Sequence, residues 1–349
     1  MDKEYCMSSY LAFRFIEDPQ KDFFEDIKHN TYQQIPSCEK HFVRTSSDID
    51  KAIQAFFDSL PTQKSGLLLS GGMDSAILAS YMKGHDAYTF RFLNGSFQRE
   101  ELNRAEQYAD YYQLNLHYVD INWDVINQSL DIVMESKGAP VHSIEPQLFV
   151  AAKQAQKDGI EELIIGNGSD YVFGGMDKLL SKDWEFDDFY RRYIYIDPEE
   201  VLIDPEDMHY LFERYRMPDE KIDFMKFLND VAINESYASY QNAFQAAEIA
   251  YDDPYARLAM AEPLDLRRIR NGESKYLIRE LFSKKYPGFP VPEKVPMPRP
   301  VDFYFKSWEG PKREEFRSDI DISKYSGNQK WLLYCLERFL NKYTNNKSL

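Results

Sequence analysis

Ser65-Gly66-Leu67-Leu68-Leu69-Ser70-Gly71-Gly72-Met73-Asp74-Ser75 is the stretch whose reading decides the fold. Its first half is a short apolar run, typical of a strand buried on both faces of a parallel sheet. A helix is expected from Met73 to Lys83. Between strand and helix stand two glycines, which let the backbone turn sharply and bring N–H groups close to an anion. Ser70 and Ser75 add hydroxyl donors, and the helix aims its positive end at the same point. Asp74 is out of place among groups that bind negative charge unless a cation mediates, and Mg²⁺ held by a carboxylate and phosphate oxygens is the simplest resolution. No GxxxxGK[ST] string occurs, which excludes the kinase-type phosphate loop.

Outward from this stretch the pattern alternates. Strands are expected at Ala87–Phe92, Leu116–Val119 and Glu162–Gly166, with helices at Arg99–Tyr112, Trp123–Glu135 and Ile144–Lys157 between them. Such alternation predicts an α/β fold, a doubly wound parallel sheet whose ligands bind beyond the carboxyl ends of the strands. Upstream, Ser46-Ser47-Asp48 reads as a cap for a helix carrying Ile49, Ile53, Phe56, Phe57 and Leu60 at helical spacing. After about Gly175 strands are expected to stop, leaving a mostly helical C-terminal part broken by prolines. Residues 287–300 hold six of them and read as an extended loop. The expected division is an N-terminal appendage and linker helix at 1–60, an ATP-binding α/β domain at 61–180 and a helical substrate or lid region at 181–349.

The 349 residues carry a net charge of −16, which argues against a protein that coats nucleic acid. The charge is uneven: residues 257–313 hold thirteen Lys/Arg against seven Asp/Glu, a local +6 that reads as a basic wall facing a polyanion. No apolar run is long enough to span a membrane, and neither a secretory signal nor a disulfide framework is visible, so a reducing cytoplasm is expected. Cys38 and His41 lack a second pair for a zinc site, and His117 and His142 read as structural.

The SGGMDS string resembles the pyrophosphate loop of the PP-loop ATP pyrophosphatases, the adenine nucleotide alpha-hydrolase-like fold. A second string, Ile165-Gly166-Asn167-Gly168-Ser169-Asp170-Tyr171-Val172-Phe173-Gly174-Gly175, is similar to the S-G-E-G-A-D-E-L-F-G-G signature of asparagine synthetases and β-lactam-forming relatives. Gly272-Glu273-Ser274-Lys275-Tyr276-Leu277-Ile278-Arg279-Glu280 is similar to that family's G-x-x-K-Y-L-L-R-E helix, and Pro292-Glu293-Lys294-Val295-Pro296 lies where its lysine-bearing loop stands. The resemblance implies ATP and Mg²⁺ as cofactors, with Asp74 and Asp170 as metal ligands. It implies Leu69, Ser70, Gly71, Gly72, Asp74, Ser75, Phe90 and Gly166 around the nucleotide, and Lys294 as the cation that neutralises the α-phosphate. Lys275 and Arg279 read as helix salt-bridge residues. The implied activity is an AMP-forming amide ligase: a carboxylate is adenylated and passed to ammonia or an amine.

Two departures modify that expectation. Only about 60 residues precede the synthetase part, too few for the family's glutaminase domain, and Cys6 reads as an ordinary buried thiol. Nitrogen is therefore expected from ammonia, an amine co-substrate or a separate glutaminase or biosynthetic subunit. Asn167 stands where the relatives carry glutamate or tyrosine, and a carboxamide is no general base; Tyr171 and Glu248 are the candidate replacements. The string around Glu248 lacks the family's arginine, which argues against aspartate as the acid. Two other readings stand beside this one. A degenerate synthetase-like module would bind nucleotide, or need a partner, without forming AMP. A PP-loop sulfurtransferase would want a cysteine pair or Fe–S site and a basic RNA surface.

Overall fold

The computed structural model describes residues 2–60, 64–94, 99–176, 178–293 and 297–345. At its centre is a five-stranded, wholly parallel sheet built from β2 (Ser65–Leu68), β3 (Asp86–Phe92), β4 (Asn115–Ile121), β5 (Glu162–Ile164) and β6 (Ala250–Asp252), in the spatial order β4-β3-β2-β5-β6. The order reverses at β2, where the chain goes first to β3 and β4 and later returns to β5 on the other side. In open parallel sheets a crevice forms at such a switch point, beyond the carboxyl ends. Register fixes the edge: Leu67 lies opposite both Ala87 and Ile164, so the loops after Leu68 and Ile164 emerge side by side.

The helices between strands follow from the sequence pattern. α1 (Lys3–Phe13), α2 (Ser46–Ser59), α3 (Met73–Ala79), α4 (Arg99–Tyr112), α5 (Trp123–Lys137) and α6 (Glu145–Lys157) come first. Thr45, one residue ahead of the expected Ser46, caps α2: its hydroxyl accepts from the Asp48 N–H while the Asp48 carboxylate accepts from the Thr45 N–H. α7 (Ser169–Val172) is a single turn after β5. α8 (Ile233–Ala247), entered through a π-helical turn at Leu228–Ala232, packs on α5 and α6 and leads into β6. α9 (Tyr276–Lys285) packs on α3 and α2, and α10 (Gly327–Asn345) closes the structure.

The C-terminal half is not free of strands. β6 extends the main sheet beside β5, and β7 (Leu258–Met260) pairs in parallel with β1 (His41–Val43) as a small second sheet. Both are three residues long, and Tyr251-Asp252-Asp253-Pro254 carries turn chemistry that hides an edge strand. α1 is buried on all sides: Tyr5, Cys6, Met7, Tyr10, Leu11, Ala12 and Phe13 are each at most 3% exposed. A helix apolar around its whole circumference belongs inside a core, and α1 packs there against α10. It ends at Arg14, whose left-handed backbone (φ 68°) is uncommon for a side chain of this size.

Candidate active site

The phosphate-loop segment keeps the shape its residues imply. The Ser70 N–H donates to Ser75 Oγ at 3.0 Å, and the Gly72 N–H donates to Ser70 Oγ at 3.2 Å, which folds the loop back over the start of α3. Gly71 admits no side chain, because a Cβ there would lie 2.4 Å from the Glu101 carbonyl oxygen on α4. Arg104 Nε donates to the Gly71 carbonyl at 2.9 Å and pins the other side. The Gly71 N–H faces the Glu101 carboxyl, and burial pushes that acid up to about 7 despite Arg104 and this bond. Glu101 therefore sits where an anion would, and its type and position carried no sequence signal.

The second glycine-rich turn rises from the neighbouring strand. The Gly168 N–H donates to Asp253 Oδ2 at 2.6 Å, and Asp253 also accepts from Tyr237 Oη and from the Tyr255 N–H. Burial pushes Asp253 up to about 7 even with these donors, so it works as an anchor and lies under the turn. Gly175 is excluded from carrying a side chain, since a Cβ would sit 2.0 Å from Asp170 Oδ1 and 2.2 Å from Lys275 Cε.

The two turns meet at one cation. Lys275 Nζ lies 2.7 Å from Asp74 Oδ2 and 2.5 Å from Asp170 Oδ1, and its side chain is only 3% exposed. Burial alone would push this ammonium down; Asp74 and then Asp170 hold it up and charged. Ser169 Oγ donates to Asp74 Oδ1 at 2.6 Å and fixes the carboxylate's rotation. Lys275 is a salt-bridge residue, as expected, but its partners are the carboxylates of the two turns and not neighbours on its own helix. It reaches inward because it precedes α9 in a left-handed conformation (φ 54°), a turn that sequence spacing does not encode.

The remaining candidates separate. Leu69, Phe90 and Gly166 lie at the same carboxyl edge as the loop, on the ends of β2, β3 and β5. Asn167 Oδ1 accepts from Ser236 Oγ at 3.1 Å, while its buried amide nitrogen has no hydrogen-bond partner. Tyr171 stands beside it; burial, then Glu235, raises its phenol so that it stays protonated at neutral pH. A small cleft, with room for about one water, is lined by Met176, Leu180, Met225, Leu228, Asn229 and Leu264 next to Asp170 and Tyr171, with the π-helical turn as one wall. Glu248 does not join them. It is exposed and precedes β6 by two residues, so it lies at the amino edge of the sheet, opposite the phosphate loop, where its carbonyl accepts from Gln156. Lys294 lies outside the described residues.

Part of the basic stretch from 257 to 313 is neutralised locally, while its Lys275 faces the two turns. Arg257, Arg268, Arg270, Lys284, Lys285 and Arg313 each pair with a carboxylate. Cys6 and Cys335 are buried thiols, the first pushed up to about 12 by burial, and Cys38 is exposed. Among the described residues no group of three or more His, Cys, Asp and Glu is arranged to hold a metal. No helix of the described residues is long and apolar enough to cross a membrane.

The asparagine synthase family model matches residues 61–248, which takes in both glycine-rich turns. No curated protein matches the chain. Among solved structures, the U34-tRNA thiolase NcsA from Methanococcus maripaludis aligns at a TM-score of 0.34 and 11% identity, over 89% of this chain and 89% of its own. NMN synthetase from Francisella tularensis aligns at 0.30 and 11% identity, over 73% of this chain and 99% of its own. The family match spans more than half of the 349 residues, and the chain belongs to the asparagine synthase family, whose members are ATP-using enzymes of the PP-loop superfamily.

Proposed function

We propose that this protein adenylates a carboxylate with ATP and transfers the acyl group to ammonia or an amine. The observation that carries the proposal is the convergence of Asp74 and Asp170, from two different turns, on a single cation. Two carboxylates aimed at one positive charge beside an anion-binding loop fit a hard divalent ion shared with phosphate oxygens. Asp74 and Asp170 would hold Mg²⁺, which supplies neutralisation of the departing pyrophosphate. Ser70, Ser75 and the Gly71 and Gly72 N–H groups would cradle the phosphates, and Lys275 carries a fixed positive charge next to them.

In the first step a substrate carboxylate oxygen attacks the α-phosphorus, the bond from that phosphorus to the bridging oxygen breaks, and pyrophosphate leaves. In the second an amine attacks the acyl carbon and AMP departs with the electron pair of the broken C–O bond. Neither the Asn167 amide nor the protonated Tyr171 phenol takes a proton at neutral pH. The nucleophile therefore arrives as a neutral amine and its proton goes to solvent, while Asn167, oriented by Ser236, donates its free amide N–H to the reacting acyl group.

AMP and pyrophosphate formation from Mg-ATP, assayed against a panel of carboxylic acids with and without ammonium, tests this reading. AMP that depends on the acid and vanishes in Asp74→Ala supports it, and ammonium dependence identifies the nucleophile. ATP binding without AMP under every condition would refute it in favour of a nucleotide-binding module.

A further inference from the structure

The phosphate loop meets a carboxylate before it meets a phosphate. Glu101 stands in the first turn of α4, and the helix backbone presses on the loop there. The Cβ that Gly71 lacks would lie 2.4 Å from the Glu101 carbonyl oxygen, 2.6 Å from its Cγ and 2.8 Å from its Cα. The Glu101 carboxyl faces the Gly71 N–H, while Arg104 donates Nε to the Gly71 carbonyl at 2.9 Å. The Gly72 N–H is engaged as well, by Ser70 Oγ at 3.2 Å. An incoming phosphate must therefore win these N–H groups from their present acceptors. A serine hydroxyl yields by rotating, but a carboxylate brings a charge of the same sign as the phosphate.

α4 leaves Glu101 little room to withdraw. The helix packs against α3, β3 and β4, its Ala105, Tyr108 and Ala109 are buried, and its Glu106 holds the Tyr118 hydroxyl on β4 at 2.7 Å. Glu101 Oε2 is buried and has no hydrogen-bond partner. Among the described residues, Arg104 is the charged side chain that acts on Glu101, and it is shared with the Gly71 carbonyl. Charges on the elements around α4 are engaged elsewhere: Asp74 on α3 with Lys275 and Ser169, Arg91 with Asp120, and His117 with Asp86. Arg99, Glu100 and Asp110 of α4 itself are exposed. Burial thus outweighs Arg104 and the Gly71 N–H, and it is this balance that holds the acid at about 7.

We infer that Glu101 is the loop's resident anion, which holds the Gly71 N–H until a phosphate arrives and then gives up its charge by taking one proton from solvent. The proton forms an O–H bond on the carboxyl, no bond breaks, and the neutral acid no longer repels the triphosphate. The inference rests on the reading of this loop as the cradle for the phosphates of ATP. Coupling of this kind is reciprocal: nucleotide tightens the proton by the same factor as the proton tightens nucleotide. An acid with its midpoint near 7 is roughly nine-tenths protonated at pH 6 and roughly one-tenth at pH 8. Binding confined to the protonated form then weakens about tenfold across that interval.

Calorimetric titration of the full chain with Mg-ATP at pH 6, 7 and 8, without acyl substrate, tests this. Glu101→Gln is run beside it, since the amide keeps the size and an acceptor oxygen but never the charge. Sulfate, doubly charged throughout this range, is a second probe, followed by thermal melting. The wild-type Kd for both probes should rise about tenfold from pH 6 to pH 8, and that of the variant by less than about twofold. At pH 8 the variant should bind about tenfold more tightly than wild type. In buffers of different ionisation heat the wild type should take up close to one proton per ATP at pH 8, a count that needs no variant. Equal pH slopes in the two proteins, no proton uptake by the wild type, or weaker binding by the variant at pH 6 would each overturn the inference and leave the phosphate-loop reading standing. The last of these would make Glu101 a brace for the loop. A chain that binds neither Mg-ATP nor sulfate at any pH would overturn both.

Discussion

Replacing Lys275 with methionine removes the cation that, among the described residues, Asp74 and Asp170 share, and brings their like charges into play. The oxygens that meet the lysine lie at most about 5 Å apart, the two lysine distances laid end to end. At that separation and an effective dielectric near 20, two like charges repel by about 3 kcal/mol. That agrees with the lower end of the ~3–5 kcal/mol cost of breaking a buried pair from one side, as suits carboxylates that remain 23% and 34% exposed. At roughly 2 °C per kcal/mol for a chain of this size, Lys275→Met should melt about 6 °C below wild type in metal-free buffer. Mg²⁺ should restore most of the loss, since an ion that binds the folded state a hundredfold above its dissociation constant contributes about 2.7 kcal/mol. The wild type, with its own ammonium in place, should respond less. Differential scanning calorimetry with and without Mg²⁺ reads both effects. A variant that melts with the wild type in metal-free buffer, or a Mg²⁺ response equal in both proteins, would show that the three groups do not form one electrostatic unit.

Gly71→Ala should abolish ATP binding, measured by calorimetry, while the protein still folds, because the new Cβ collides with the α4 backbone at 2.4 Å and displaces the phosphate loop. Glu101, raised to about 7, binds a proton in the folded state that the unfolded chain releases near its ordinary value of 4.5. Folding then takes up protons across that window, so stability falls as pH rises from about 4.5 to 7, and Glu101→Gln should flatten this slope in chemical denaturation. Glu248→Gln should leave AMP formation within twofold and stability within about 0.5 kcal/mol of wild type, as for an exposed side chain far from the chemistry.

The parts of this site that could be read from sequence are those where local residues dictate local shape. Two glycines next to Ser70 and Ser75 can only be a close-approach turn, and Asp74 and Asp170 each sit in such a turn at a strand end, so both are legible. Lys275 was legible as a salt-bridge residue but not its partners, because it takes a left-handed step ahead of α9 and meets Asp74 and Asp170, far from it in the chain. Asp253 and Glu101 work through contacts with Gly168 and Gly71 that lie 85 and 30 positions away in the chain. Glu248 shows the opposite error. Only the glutamate of its string resembled the family's, and the course of the chain through α8 into β6 leaves it at the opposite edge of the sheet from the phosphate loop. β6 and β7 escaped because three residues carry too little periodicity to separate a strand from the turns around it.

The first helix changes how the protein can be cut. Residues 3–13 belong to the stretch expected to be an N-terminal appendage, yet they fill the interior against α10. Lys3 is tied to Glu315 across almost the whole length of the chain. Removing residues 1–14 would therefore extract a central pillar, and with Arg14 it would take the buried partner of Glu235 and His142. A minimal ATP-binding fragment of this enzyme cannot be made by starting at the sheet.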